Sequence, residues 1–205
     1  MSYRQLNLAD LKYNFNLTFI EDLGIFNNAP RLKPSQLLLD ILEDNIGLAV
    51  AIGTEKARSE LIIAPILVFL LKHFDNKISL FSGVEFNVNL CQGLTGVCDF
   101  ILSLSPEQLF VQAPIITLIE AKNDNLKLGL PHCLGEMLGA QFFNQKVNNN
   151  IQTIYGVVTT GTSWQFLSLN NQTVKIDLEE YSLTNLPKIL GILASFIPKT
   201  PDNLV

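Results

Sequence analysis

The rhythm of apolar and polar positions changes several times along this chain, and each change predicts an element. Residues 6–14 read as a short helix. Ser35, just after Pro34, is placed to cap a second helix over 36–44. Thr54 is an N-cap for a long helix reaching about residue 74, with Glu55 in its first turn, where acidic charge suits the helix dipole. Beyond Glu60 that helix is apolar on every side to Leu71, which predicts burial.

Three strand-like runs follow at 78–89, 97–104 and 115–122, rich in β-branched and aromatic residues and punctuated by Gly93, Gly96 and Pro106. A helix is expected over 131–145. Segments 153–160, 164–169 and 173–178, separated by Gly161-Thr162 and Asn170-Asn171, read as an antiparallel ribbon. A last helix over 183–196 stops before Pro198. This order predicts an α/β protein in which helices flank a mixed β-sheet. No internal repeat or linker divides the chain, so one domain over 1–205 is expected.

Composition supports a packed interior: 48% of the 205 residues are hydrophobic and 16% charged, outside the range of disordered chains. Cys91, Cys98 and Cys133 are too few, and odd in number, for a disulfide framework, which makes a reducing, cytoplasmic location the expectation. The first residues lack the charged-then-apolar order of a signal peptide. The longest apolar stretch, 61–71, contains Pro65 and falls short of the roughly 20 residues that span a bilayer, so no membrane partner is expected. The net charge of −5 argues against broad electrostatic binding of nucleic acid. Lys56, Arg58, Lys122, Lys127 and Lys146 are the residues from which a local basic strip would have to come.

The candidate chemistry lies on the second and third predicted strands. Asp99 ends Gly96-Val97-Cys98-Asp99, and Glu120-Ala121-Lys122 closes an apolar run. If 120 and 122 sit on a strand, its period of two puts an acid and an amine on one face, with Ala121 turned away. Because 115–119 is nearly all apolar, the strand is expected to be buried, and charges at its end need a purpose. Two carboxylates beside an amine are what divalent-metal-assisted phosphodiester hydrolysis requires: oxygen ligands for Mg²⁺ and a group that orients water or stabilises developing charge.

On these residues, segment 54–169 resembles the PD-(D/E)XK nuclease superfamily, with its restriction-endonuclease-like αβββαβ core. Asp99 matches the motif's Asp, although Cys98 stands where its Pro would be, and Glu120 and Lys122 match Glu-x-Lys. Glu60 resembles the acidic residue many relatives carry on the helix before the first strand. Gln141 resembles the polar residue often found on the helix after the motif, and 156–166 resembles a common strand-turn-strand ending. The resemblance implies an N-terminal helical extension over about 1–53, a core over 54–169, and a C-terminal strand and helix over 170–205. It further implies Mg²⁺ or Mn²⁺ held by Asp99, Glu120, the Ala121 carbonyl and Glu60. Lys122 and Gln141 would complete the catalytic set, the partner being nucleic acid, DNA foremost, and homodimers having precedent.

Plainer readings stand beside these. Glu60 also fits the solvated edge of a buried helix, and Gln141 a surface rim. Cys91, Cys98, His132 and Cys133 lack the usual ligand spacings of zinc and read as structural. His73 suits the negative end of its helix, and Trp164 reads as core. A non-catalytic interaction protein retaining the nuclease fold is the alternative, supported by the acidic charge and the large apolar content. No Gly-rich phosphate loop or Gly-x-Ser-x-Gly elbow points to a different α/β enzyme.

Overall fold

The apolar run preceding Glu120 becomes strand β4 (Ile115–Ala121), all seven of whose residues are buried, as a central strand covered on both faces must be. In the computed structural model, which describes residues 2–149 and 151–198, β4 is one of eight strands. The others are β1 (Thr18–Asp22), β2 (Ser79–Glu85), β3 (Val97–Ser103), β5 (Thr153–Thr159), β6 (Ser163–Asn170), β7 (Thr173–Asp177) and the short β8 (Tyr181–Ser182). Their order in the sheet is β1-β7-β6-β5-β4-β3-β2, with β8 also on β6. The sheet is mixed: β4–β5 and β1–β7 are parallel and the remaining pairs antiparallel. A parallel pair needs a crossover, and helix α5 (Leu130–Lys146) supplies the one between β4 and β5.

Helices cover both faces. Helix α1 (Leu8–Asn14) lies with α5 on one side, where Leu11, Leu134 and Met137 pack with Ile101, Leu118 and Val158. On the other lie α2 (Gln36–Ile52), α4 (Ala64–His73) and α6 (Leu186–Ser195), where Leu42, Ile66 and Ile189 pack with Phe100, Ile119, Trp164 and Phe166. The molecule is thus a mixed α/β protein with its sheet between two helical layers. Among the described residues no helix is long and apolar enough to cross a membrane.

Three expectations are corrected. The helix expected over 54–74 forms as one unbroken run but not a regular one: α3 (Glu55–Arg58) passes through a π-helical turn at Ser59–Ile63 into α4. Pro65 has no N–H to offer the Leu61 carbonyl, and the Asn45 side chain donates to that carbonyl instead, at 3.1 Å. The helix expected over 36–44 continues to Ile52 and ends at Gly53, whose φ of +69° suits a residue without Cβ. The N-terminal segment expected to be wholly helical contributes β1, paired with β7 from Thr18↔Thr173 to Asp22↔Asp177. It therefore belongs to the same sheet as the core.

Candidate functional site

The site forms where β3 and β4 part company. Their pairing runs from Ser103↔Ile115 to Phe100↔Ile119 and goes no further. Beyond it the Asp99 side chain takes over the role of a ladder partner: its Oδ2 accepts the Ala121 N–H at 2.8 Å. The sequence provides for this with a break in alternation. On β3 both Cys98 and Ile101 pack on the α5 side, and on β2 both Phe81 and Val84 do, a spacing of three where a regular strand allows two or four. Gly83, between Phe81 and Val84, adopts a φ of +63°, open to glycine at little cost.

The shift sends Asp99 toward α3 and α4. There it lines a cleft of ≈ 260 Å³ with Glu55, Ser59, Glu60, Ser82 and Gly83. Glu60 sits on the π-helical turn and pairs with Lys56 at 2.6 Å, both side chains well exposed. Burial, then the nearby Glu120 carboxylate, pushes the Asp99 pKa up to about 6, against the pull of the Ala121 N–H and Lys122.

Glu120 and Lys122 project to the same side, as a strand's period of two demands, while Ala121 packs in the opposite core. Glu120 is 1% exposed, and its Oε1 receives both the Lys122 ammonium and the His132 ring nitrogen Nδ1. The Lys122 ammonium also lies 3.9 Å from Glu55 Oε2. Burial alone would lower the Lys122 pKa, but the attraction of Glu120, with Glu55 and Asp99 behind it, holds it above the ordinary lysine value. Lys122 is therefore a fixed positive charge, suited to positioning and electrostatics rather than to proton abstraction. Gly129, just before α5, makes room for its stem: a Cβ there would stand 3.1 Å from Lys122 Cγ and 2.5 Å from Val158 Cγ1.

Two residues assigned no role from the sequence complete the cluster. His132 and Glu136 lie one turn apart on α5, and His132 Nε2 is 3.4 Å from Glu136 Oε1. Glu136 is fully buried, and burial, then Glu120, pushes its pKa well above the usual carboxylate range. The buried Cys98 thiol lies against it. Tyr3 closes the cluster from outside the sheet, its ring stacked 6.2 Å from that of His132. Gly135 and Gly139, on the helix face that receives Tyr3, leave space that a Cβ would fill: at Gly139 it would stand 2.5 Å from the Tyr3 hydroxyl. The signal legible beforehand was the i, i+4 spacing of His132 and Glu136 on the helix following Glu-x-Lys. Grouping His132 with the cysteines beside it in sequence concealed it.

Gln141 is not part of this arrangement. Its side chain donates to the Asn171 carbonyl at 3.1 Å, beside Phe15 and Leu17. The reason is the run of α5: it begins near Lys122 and ends near Ile115, so Gln141 lies nine residues past His132, a rise of about 13 Å. Three of the five lysines and arginines considered for a basic strip are engaged elsewhere. Arg58 donates to the Thr160 carbonyl at 2.9 Å, Lys56 is paired with Glu60, and Lys146 reaches the Val88 carbonyl at 3.5 Å. Cys91 is exposed, whereas Cys98 and Cys133 are buried and unbridged. Compared with known proteins, the chain matches no protein-family model and no curated protein sequence.

Proposed function

We propose that the protein is a divalent-metal-dependent nuclease of restriction-endonuclease-like fold that hydrolyses phosphodiester bonds in nucleic acid, DNA foremost. The observation that carries the reading is the anchoring of Asp99 to the Ala121 main chain where β3 and β4 part, within the electrostatic reach of Glu120 and Lys122. In two respects these residues fit a hard divalent cation: Glu120 Oε2 is buried without a hydrogen-bond partner, and burial, then crowding by Glu120, already raises the Asp99 pKa. Asp99, Glu120 and the Ala121 carbonyl would hold Mg²⁺ or Mn²⁺, with Glu60 binding at the mouth of the cleft. Such an ion polarises a phosphoryl oxygen and lowers the pKa of its bound water.

The chain's own residues supply the rest. Lys122, charged and held by Glu120, places positive potential beside the strand end, where it orients a water and stabilises charge developing on phosphate. Asp99, open to the cleft, is the carboxylate that solvent and substrate reach, while Glu120 stands behind the strand end, held by Lys122 and His132. Glu55 and Glu60 repel an unscreened phosphate, so substrate binding depends on neutralisation of this acidic rim.

The test is calorimetric titration with Mn²⁺ together with cleavage of plasmid and single-stranded DNA. Binding weakens sharply in Asp99→Ala and Glu120→Ala, and cleavage disappears in Lys122→Ala. Unchanged Mn²⁺ binding in both carboxylate variants refutes the site. A second reading, an interaction protein that keeps the fold without turnover, is favoured by the direction Glu120 takes, into a closed cluster away from the cleft. Exposed Leu37, Leu48, Val50 and Ile52 on α2 would serve such a role. Wild-type protein inert toward all tested nucleic acids, with no change in melting temperature in millimolar Mg²⁺ or Mn²⁺, selects it.

A further inference from the structure

Nine buried side-chain nitrogen and oxygen atoms lack a hydrogen-bond partner among the described residues, and four of them come from one cluster: Glu120 Oε2, His132 Nε2 and both carboxylate oxygens of Glu136. Folded interiors seldom leave such atoms unsatisfied, and a concentration of them in one place calls for a missing partner. One ligand-type atom from each of the three residues lies within 4.8 Å of the other two. None of the three residues is more than 6% exposed.

The direction of the imidazole sharpens the point. His132 gives Nδ1 to Glu120, so in the neutral ring the lone pair is on Nε2, and Nε2 faces Glu136 Oε1 at 3.4 Å. Between two such atoms something positive must lie, either a proton or a metal ion. Glu120 and Glu136 thus flank the ring, one at each nitrogen, and an ion among the three takes whichever nitrogen a turn of the ring presents to it. Lys122, like His132, is committed to Glu120 Oε1, and among the described residues Oε2 has no hydrogen-bond partner.

We propose that Glu120, His132 and Glu136 bind one divalent first-row transition-metal ion, of the class Mn²⁺, Fe²⁺, Co²⁺ or Zn²⁺, in preference to Mg²⁺. An imidazole nitrogen among the donors favours these ions, whereas Mg²⁺ prefers oxygen and retains several waters. The closed surroundings have little room for such a hydrated ion: Tyr3 stacks on His132, and Cys98 lies against Glu136. With donors from the end of β4 and from one turn of α5, the ion fastens the crossover helix to the central strand. The site shares Glu120 with the nuclease reading but does not rest on it, because Asp99 takes no part here.

The experiment is titration of chelator-stripped protein with Co²⁺, followed by visible absorption and by melting temperature. In millimolar Mg²⁺, which competes for an all-oxygen site, wild type still develops a visible ligand-field band that saturates at a single Co²⁺ per chain, and it melts at higher temperature than in Mg²⁺ alone. Glu136→Gln and His132→Gln each weaken Co²⁺ binding by about a hundredfold or more, beyond the loss seen for an outer partner of a ligand. With Mg²⁺ present to mask the Asp99 site, Asp99→Asn keeps this Co²⁺ band as wild type does, even if it no longer cleaves nucleic acid, which separates the two readings. Circular dichroism of the stripped variants verifies folding, and His132→Gln carries the test alone if Glu136→Gln does not fold. Absence of a band and of a melting shift in wild type overturns the proposal: the cluster then holds a proton rather than a metal. Equal Co²⁺ affinity in wild type and in the folded variants overturns it as well.

Discussion

Asn144 grips Ile115 by both of its main-chain groups: Oδ1 accepts the Ile115 N–H at 2.8 Å, and Nδ2 donates to the Ile115 carbonyl at 2.7 Å. One amide near the end of α5 thereby satisfies the first residue of β4 and fixes the helix along the strand. Three turns earlier on the same helix, that alignment brings His132 and Glu136 to Glu120. Asn144→Ala leaves two buried backbone groups unpaired, and a loss of roughly 2–4 kcal/mol is expected. Urea unfolding measures it, and a loss below about 1 kcal/mol would mean that water replaces the amide.

Asp99 makes stability depend on pH in a definite direction. Its folded-state pKa of about 6 stands above the ordinary 3.8 because of burial and then Glu120, with Glu55 adding to the rise and the Ala121 N–H and Lys122 opposing it. Between those values the folded state holds a proton that the unfolded state has released. Its contribution to stability is therefore greatest below the lower value and declines as pH rises through the higher. In metal-free buffer, wild type should lose stability relative to Asp99→Asn from about pH 4 to 7. Melting curves across that interval that run parallel for the two proteins would contradict it.

Two glycines in helices predict opposite outcomes. Gly47, inside α2, has nothing within 4 Å of the place a Cβ would occupy. Gly47→Ala should stabilise the protein by about 0.5–1 kcal/mol through helix propensity. At Gly191 in α6 the same atom would stand 1.7 Å from the Pro30 carbonyl oxygen. The backbone of the 24–34 connection passes directly over the helix there, and Gly191→Ala should cost on the order of 3 kcal/mol or more through forced displacement. Thermal denaturation of both variants beside wild type decides the signs.

Asp177 is a third fixed point. Fully buried at the end of β7, it accepts the N–H groups of Gly24 at 2.8 Å, Phe26 at 3.3 Å and Glu179 at 3.0 Å, and the Tyr181 hydroxyl at 2.9 Å. Asp177→Ala strands three backbone donors, the Tyr181 hydroxyl keeping Asn27 Oδ1 at 3.3 Å, and a cost of at least about 3 kcal/mol follows. Hydrogen exchange at the Gly24 and Phe26 amides should accelerate beyond the global change; equal acceleration throughout the sheet would show that the hub has no local role.

The central elements were legible because their signals are strong and local. Alternation and apolar runs located β3, β4 and β5, and Ser35 and Thr54 do cap helices, accepting from the Leu38 and Ala57 N–H groups. What escaped was non-local. Strand β1 is a mostly exposed edge whose five residues carry little apolar alternation, and only its pairing with β7 makes it a strand. The π-helical turn required both Pro65 and a distant Asn45. At the site, Glu120 and Lys122 were readable as one face, whereas the twist at Gly83 and Asp99 that turns Asp99 to the other helical layer was not. Nor was the convergence of His132 and Glu136 on Glu120, which depends on how far α5 slides along β4.

The parallel contact of Thr18 with Thr173 also sets an order of events in synthesis. The margin strand emerges well before its mate, by about ten seconds or more at ~5–20 residues per second. Until then Phe19 is without its cover, and Glu21 and Asp22 nearby act as gatekeepers against premature association. Closure of that margin is accordingly a late, slow step, and a ribosome-bound chain halted before residue 173 should expose it to proteases that the finished protein resists.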